Sequence, residues 1–260
     1  MNSLEITTNI PCPNQCIYCP QDILQKQYNK CRYLTFDTFR ICLSKLPPKL
    51  RLHFSGFSEP FNNPDCCHMI KYAYEQEFEV CLYSTLIGLT AEALNVIKDI
   101  QFHAISIHLP NDLMKFKITP KYNSILLSFI KIFPNAKRHI IGLSNILSNS
   151  INANIIPTIN LHSRANNIID EDIGIRRHPY TQGKIQCGIG NLKNNILLPN
   201  GDVYLCCMDF GLKHKLGNLV TDTYESLFKS DEYTNVIQGL SDESIDILCR
   251  FCSECQTGNK

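Results

Sequence analysis

The sequence has no strong net charge, no long apolar run and no signal-peptide pattern. Its 25 Lys and Arg residues nearly balance 24 Asp and Glu residues, so the formal net charge is +1. The basic residues are scattered, which argues against a nucleic-acid stripe and against a basic amphipathic helix for a membrane surface. No apolar stretch is long enough to cross a bilayer. We therefore expect a cytoplasmic protein with a small-molecule or peptide substrate, and no nucleic-acid or membrane partner.

The chain also lacks internal repeats, low-complexity tracts and the cysteine spacing of a small secreted scaffold. Its 260 residues can bury a substantial core without disulfides, and yet 14 of them are cysteines. This combination is typical of metal ligation in a reducing compartment.

Short β-rich runs alternate with helical patterns from Ser3 to about residue 160. The first runs are LEITTNI, TFDTFRICLSKL and KLRLHFSG. Such alternation predicts repeated βα units around a parallel sheet. Thr35 and Thr90 are expected to cap two of the helices. Six strands are expected, so the predicted fold class is α/β, a partial (β/α)6 TIM-like barrel that is open at one side.

The character of the sequence changes near Ile175. Beyond it, LKNNILLPNGDVYLCCM predicts a hairpin with its turn at 199–202. A helical segment and the run CRFCSEC follow. We therefore expect two domains, a barrel at 1–175 and a small α+β module with a hairpin and a helix at 176–260.

Three cysteines, Cys12, Cys16 and Cys19, lie in the run CPNQCIYCP just past the first expected strand. A cubane iron-sulfur cluster normally takes four thiolates, so three ligands leave one iron open to a small molecule. Structural zinc prefers four closed ligands, and the next cysteine, Cys31, stands alone well downstream. Catalytic groups of parallel barrels lie at the carboxyl ends of strands. The triad predicts a [4Fe-4S] cluster with an open site, with a zinc knuckle or buried thiols as the alternative.

This CxxxCxxC run closely resembles the cluster motif of the AdoMet radical superfamily. Tyr18 precedes the third cysteine, where that superfamily usually has an aromatic residue near the adenine. The segment Gly56-Phe57-Ser58-Glu59-Pro60 resembles the superfamily's glycine-glutamate motif. The resemblance implies that the open iron binds S-adenosylmethionine and that segment 56–60 contacts its methionine amino group, with a glycine that permits close backbone approach. An ordinary strand-to-helix turn is the alternative for this segment.

Further cofactor contacts are implied at the ends of later strands. In the superfamily, the ends of the third and fourth strands approach the ribose and the methionine carboxylate, although small polar residues also end ordinary buried strands. Arg164, in SRANNIID, resembles an SRAGN-like segment after the sixth strand and is the candidate catalytic residue. It would clamp a carboxylate or face a substrate hydroxyl, or else form a salt bridge at the barrel rim. The cofactor-binding candidates are Tyr18, Gly56, Ser58, Glu59, Ser84, Thr85 and Ser106.

A second cysteine set lies in the C-terminal module. Thirteen residues separate Cys187 from Gly201 and four separate Gly201 from Cys206, which resembles the CxnGxxxxC opening of the SPASM module. Only CxxCxxC remains downstream, so the resemblance implies one auxiliary [4Fe-4S] cluster, as in the shortened twitch module. A four-cysteine zinc site is the rival interpretation. The metal-ligand candidates here are Cys187, Cys206, Cys249 and Cys252, with Cys255 as a spare or alternative ligand.

Together the motifs imply a radical SAM oxidoreductase. A flavodoxin- or ferredoxin-type donor would reduce the first cluster, and the radical from S-adenosylmethionine would abstract a substrate hydrogen. The layout is similar to that of the twitch-type aminocyclitol dehydrogenase of butirosin biosynthesis, so we expect the two-electron oxidation of an aminocyclitol or sugar alcohol. The alternatives are a SPASM-type peptide or protein maturase and, from another class, a non-catalytic iron-sulfur electron-transfer or zinc-binding protein. Whether the auxiliary cluster transfers electrons or binds substrate stays open.

Overall fold

The computed structural model describes residues 2–110, 113–116, 118–141, 155–158, 161–188 and 190–258. Its central feature is a sheet whose first six strands are parallel and follow the order of the chain. Within the described residues the sheet does not close into a barrel. The six strands are β1 (Ser3–Ile6), β2 (Arg51–Phe54), β3 (Glu79–Ser84), β4 (Ala104–His108), β5 (Lys137–Ile141) and β6 (Ile155–Thr158).

Helices cover the outer face of these strands. The expected caps are confirmed, since Thr35 and Thr90 accept hydrogen bonds from the N–H groups of Thr38 and Ala93. Across the described ranges, every helix falls short of the length and apolarity that a bilayer crossing requires. The helices are α1 (Gln21–Gln27), which the sequence patterns did not predict, α2 (Phe36–Leu43), α3 (Cys66–Glu75), α4 (Ala91–Ile97) and α5 (Pro120–Ile132).

The two faces of the sheet differ in chemistry because side chains alternate along each strand. Leu4, Leu52 and Phe54 are completely buried against the helices, and Phe39 of α2 packs on Phe54 with ring centroids 6.0 Å apart. The alternate positions face the concave side. There Glu5 of β1 lies in register with His53 of β2. The concave face is therefore polar where the helix-covered face is apolar.

The C-terminal part of the chain extends the same sheet. The predicted hairpin is confirmed, and its first strand pairs in parallel with β1, so that the sheet has nine strands within the described ranges. The expected domain boundary near 175 stays a prediction, and strands from both sides of it share hydrogen bonds. The remaining strands are β7 (Ile185–Cys187), β8 (Asn194–Leu197), β9 (Asp202–Tyr204), β10 (Lys215–Asn218) and β11 (Cys255–Thr257).

One expected helical segment, 223–240, forms two helices. These are α6 (Tyr224–Leu227) and α7 (Asp231–Gly239). The Ser230 hydroxyl accepts a hydrogen bond from the Tyr233 N–H and so begins a new helix. A short 3-10 helix, Leu248–Phe251, then leads into β11.

Candidate functional site

The three N-terminal cysteines converge on one open cavity at the carboxyl end of β1. Cys12, Cys16 and Cys19 line this cavity of about 770 Å³, together with Asn167 from the segment that follows β6. Burial raises the pKa of Cys12 to about 11 and that of Cys16 to about 12. Metal cations reverse this preference, because they bind the thiolate form. The loop is thus a set of three partly buried sulfur donors beside open space.

Two N–H groups point at sulfurs of this loop. The Glu59 backbone N–H donates to Cys12 Sγ at 3.4 Å, and Gln21 Nε2 donates to Cys19 Sγ at 3.5 Å. The Tyr18 hydroxyl also hydrogen-bonds to Cys16. Hydrogen bonds to cluster sulfurs tune iron-sulfur sites. The surroundings of the three sulfurs therefore fit an iron-sulfur cluster.

Glu59, Ser84 and Thr85 contact one another. The buried Glu59 carboxylate accepts hydrogen bonds from Ser84 Oγ at 2.5 Å, Thr85 N at 2.7 Å and Thr85 Oγ1 at 2.6 Å. Burial raises the pKa of Glu59, and the hydrogen bonds from Ser84 and Thr85 oppose that rise. Asn14 Nδ2 donates to Thr85 Oγ1 at 3.1 Å and so links the cysteine loop to the network. The structure brings these three candidates together, and their contacts with a cofactor stay predictions.

Segment 56–60 lies directly against the end of β1. Gly56 has a φ of +73°, and a Cβ there would lie 2.2 Å from Thr7 Oγ1. The Phe57 N–H donates to the same oxygen at 3.1 Å. The glycine is therefore required by its contact with Thr7, a reason that the motif alone did not supply.

Two buried polar atoms beside the cysteine loop have no hydrogen-bond partner among the described residues. They are Ser58 Oγ and Asn14 Oδ1. Buried polar groups are nearly always hydrogen-bonded, so unpaired ones indicate a missing polar ligand. This observation fits a polar cofactor such as S-adenosylmethionine.

Ser106 and Arg164 occupy different surroundings from the Glu59 network. Ser106 is buried within β4, in register with Tyr83 of β3. Arg164 lies in a turn with a φ of +51°, and its guanidinium contacts Met208 Sδ at 3.8 Å. Burial raises the pKa of Cys19, and the nearby charge of Arg164 opposes that rise. Arg164 thus lies close to the first cysteine site.

Glu5 is a site residue that the motifs did not reveal. Its Oε2 accepts a hydrogen bond from Ser55 Oγ at 3.1 Å, and its carboxyl also hydrogen-bonds to Cys207. Burial raises the pKa of Glu5, and the charge of Arg164 partly opposes this. The sequence feature that could have identified Glu5 is that it is the single ionisable residue in the otherwise uncharged run LEITTNI.

Five of the six C-terminal cysteines line one small apolar cavity. Leu205, Met208 and Leu248 complete its lining. β7 and β11 pair so that Cys187 lies directly opposite Cys255. The structure therefore brings Cys255 into the same site as the other four. The cysteines are Cys187, Cys206, Cys249, Cys252 and Cys255.

A buried hydrogen-bond network holds the turn that carries Cys249 and Cys252. The Leu248 N–H donates to His214 Nε2 at 3.0 Å, and His214 Nδ1 lies 2.6 Å from Glu232 Oε1. Arg250 is completely buried and donates to the carbonyls of Thr181, Gly183 and Gly239. These contacts position the two cysteines, as outer residues do around many metal sites.

A single metal ion and an iron-sulfur cluster require different distances between the side chains that hold them. Among the residues that the structure describes, no three His, Cys, Asp or Glu side chains lie close enough together to share one ion. A zinc ion holds each thiolate at about 2.3 Å, so its sulfurs must lie close to one another. A cubane holds its thiolates on four separate irons, so they lie farther apart. In the described part of the chain, the thiols are therefore not arranged around one preformed ion position.

Comparisons with known proteins agree with this geometry. Residues 187–256 match the family model of the SPASM iron-sulfur cluster-binding domain. A comparison of the sequence with curated proteins finds no match.

Several solved structures are similar to the whole chain. BtrN in complex with AdoMet and 2-DOIA is 14% identical, with a TM-score of 0.64 over 99% of this chain and 93% of that chain. The anSMEcpe protein with bound AdoMet is 14% identical, with a TM-score of 0.58 over 96% and 86%. Streptococcus suis SuiB bound to the precursor peptide SuiA is 11% identical, with a TM-score of 0.61 over 96% and 69%. The α/β expectation and the resemblance to the SPASM module are confirmed: the chain shares the fold of these solved structures, and its residues 187–256 match the SPASM iron-sulfur cluster-binding domain.

Proposed function

We propose that the protein is a radical SAM enzyme with one catalytic and one auxiliary [4Fe-4S] cluster. The observation that carries this proposal is the convergence of Cys12, Cys16 and Cys19 on an open cavity beside two unpaired buried polar atoms. When bound, the first cluster and S-adenosylmethionine supply a 5′-deoxyadenosyl radical that removes a substrate hydrogen. A small flavodoxin- or ferredoxin-type protein would supply the electron.

The chain's own residues would bind and orient these groups. Three thiolates hold three irons and leave the fourth open. Ser58 Oγ and Asn14 Oδ1 offer hydrogen bonds to the polar atoms of S-adenosylmethionine. The Glu59 carboxylate holds the end of β3 against segment 56–60 and so fixes the position of that segment.

The auxiliary cluster would be held by Cys187, Cys206, Cys249 and Cys252, with Cys255 as the spare thiol. The cavity among these cysteines is apolar and has a volume of only about 20 Å³, which leaves little room for a substrate and supports electron transfer rather than substrate binding. Cys206 and Cys207 are adjacent, and Cys207 contacts Glu5 of the barrel interior. The auxiliary cluster therefore lies next to the interior in which a substrate radical would form.

The substrate that we propose is a small polar molecule, oxidised by two electrons, such as an aminocyclitol or sugar alcohol. Two observations support it. The similar BtrN structure contains AdoMet and 2-DOIA, and the likeness covers most of both chains. The concave face of the sheet also presents polar groups, among them Glu5, His53 and Tyr83, which suit a hydroxylated molecule. The cysteine content is consistent with a cytoplasmic, reducing environment.

Peptide modification is the second candidate. SuiB was solved with a precursor peptide, and an anSMEcpe structure contains AdoMet and the Cp18Cys peptide. Both have the same fold as this chain.

The decisive experiment is the formation of 5′-deoxyadenosine. The protein is reconstituted anaerobically with iron and sulfide and given S-adenosylmethionine and a strong reductant. The native protein and a Cys31→Ala control, altered at an exposed cysteine outside both sites, should form 5′-deoxyadenosine. Cys19→Ala should not. No product from the native protein with intact clusters would overturn the proposal in favour of electron transfer alone.

The two substrate classes are separated by the same assay. A rise in 5′-deoxyadenosine with 2-DOIA, the molecule present in the BtrN structure, would support polyol oxidation. A rise only with a cysteine-containing peptide would support the maturase.

A further inference from the structure

Gln21, the first residue of α1, contacts three parts of the first cysteine site. Its Oε1 accepts a hydrogen bond from the Cys12 N–H at 3.3 Å. Its Nε2 donates to the Phe57 carbonyl at 2.6 Å and to Cys19 Sγ at 3.5 Å. Its backbone N–H donates to the Cys19 carbonyl at 2.8 Å. One side chain therefore joins the beginning of the cysteine loop, the end of that loop and segment 56–60.

The surroundings determine the orientation of the Gln21 amide. A primary amide has two N–H donors and one carbonyl acceptor. If the amide were flipped, its oxygen would face the Phe57 carbonyl, and two acceptors would be in contact. Gln21 is only 7% exposed, and a buried amide without hydrogen bonds is costly. The donor that points at Cys19 is therefore held in place.

We propose that Gln21 is a positioning residue of the first cluster, which donates a hydrogen bond to the Cys19 thiolate and raises the reduction potential of the cluster. This inference rests on the proposed function, because it requires a cluster on Cys12, Cys16 and Cys19. Reduction adds negative charge to a cluster. A donor beside a sulfur stabilises that charge, so the potential rises.

Gln21 supplies a side-chain N–H donor to the loop sulfurs, which substitution can remove. The Glu59 and Asn14 backbones donate to Cys12. A backbone donor remains when the side chain is replaced. Electron entry into the cluster should therefore respond to Gln21 more than to its neighbours in α1.

The main test compares Gln21→Leu with Gln27→Leu, which changes an exposed residue of the same helix. Both variants and the native protein are reconstituted, and their iron content is measured. The midpoint potential of the first cluster is then determined in a redox titration that follows its EPR signal. This signal is identified as the one that changes when S-adenosylmethionine is added. Gln21→Leu should keep its iron while its equilibrium constant for reduction falls at least tenfold, which is 59 mV for one electron. Gln27→Leu should match the native protein.

Gln21→Glu is the second variant, in case Gln21→Leu does not assemble. Glu keeps the length of the side chain and the acceptor for the Cys12 N–H. An ionised carboxylate would repel the added electron, and a protonated one has a single donor, which the closer Phe57 carbonyl takes. In either state the potential should fall, whereas a purely structural role predicts a potential close to that of the native protein.

The outcomes separate this inference from the proposed function. A native potential in both Gln21 variants with full iron would overturn the role of Gln21. Loss of the first-cluster iron from both, with the auxiliary iron kept, would make Gln21 a structural anchor only and would overturn its effect on the potential. If Cys19→Ala kept the signal that responds to S-adenosylmethionine, the proposed function itself would fail.

Discussion

The two cysteine sites are built in opposite ways. The first takes its thiols from one short loop, Cys12 to Cys19, and opens onto a cavity of about 770 Å³. The second draws on β7, the end of β9, the segment 248–252 and β11, and it surrounds an apolar cavity of about 20 Å³. One site is local and borders a large cavity, while the other is assembled by the fold around a small one.

This difference supports different proposed roles for the two sites. A site with three thiolates leaves one iron free to accept a small molecule, whereas four thiolates leave no iron free, which favours electron transfer. A loop can also keep its ligand spacing when distant parts of the chain change. A site assembled from four segments depends on every contact that holds those segments together.

The largest expected effect comes from removing ligands at each site in turn. Cys16→Ala should abolish 5′-deoxyadenosine formation, because the first cluster loses one of only three thiolates. Cys249→Ala should still cleave S-adenosylmethionine to 5′-deoxyadenosine in the absence of a substrate, because the first site is intact. Product analysis and iron content check both. If Cys249→Ala lost activity while the first-cluster EPR signal persisted, the two sites would not be independent.

A smaller effect is expected at the carboxylate beside the open site. Glu59→Gln should lower the free energy of unfolding by about 3 kcal/mol, because an amide nitrogen would face the donors of Ser84 or Thr85. Denaturant unfolding of the reconstituted protein measures this. Glu75→Gln, on the exposed surface of α3, is the matched control and should change little. Equal effects in the two variants would contradict the burial argument.

The two motif glycines test whether both sites depend on close backbone contacts. At Gly201, with a φ of +86°, a Cβ would lie 2.6 Å from Val220 Cγ2. Gly56→Ala and Gly201→Ala should each destabilise the protein by about 2 to 3 kcal/mol, from backbone strain plus overpacking. Gly174→Ala has positive φ but open space and should cost only about 1 kcal/mol. Thermal unfolding ranks the three variants, and an effect of Gly174→Ala equal to the others would exclude the packing contribution.

The smallest effect is expected from Cys255, the spare cysteine of the C-terminal site. Cys255 is partly exposed and Cys252 is buried. Cys255→Ala should keep the iron of both clusters, while Cys252→Ala should lose that of the auxiliary cluster. Iron and sulfide analysis decides between them. The reverse result would place Cys255 in the ligand set and leave Cys252 as the spare thiol.

Much of the fold could be predicted from the sequence because its signals are local. The alternation of apolar strands and helices indicated six parallel strands, and Thr35 and Thr90 marked two helix starts. The turn at 199–202 indicated the hairpin. Sequence patterns missed α1, which is short. They also did not show that β8 would pair with β1, because pairing between distant strands leaves no local pattern.

Some features of the candidate sites could likewise be predicted from the sequence, and others are found only in the structure. The amino-acid sequence alone determined the first cysteine loop and its match to a cluster motif, since ligands a few residues apart must lie close together. The tertiary structure alone decided that Glu59 binds Ser84 and Thr85, that Glu5 contacts Cys207, and that Gln21 contacts Phe57. Those contacts join strands and loops far apart in the chain. Their geometry exists only after the burial of apolar surface has packed the helices on the sheet.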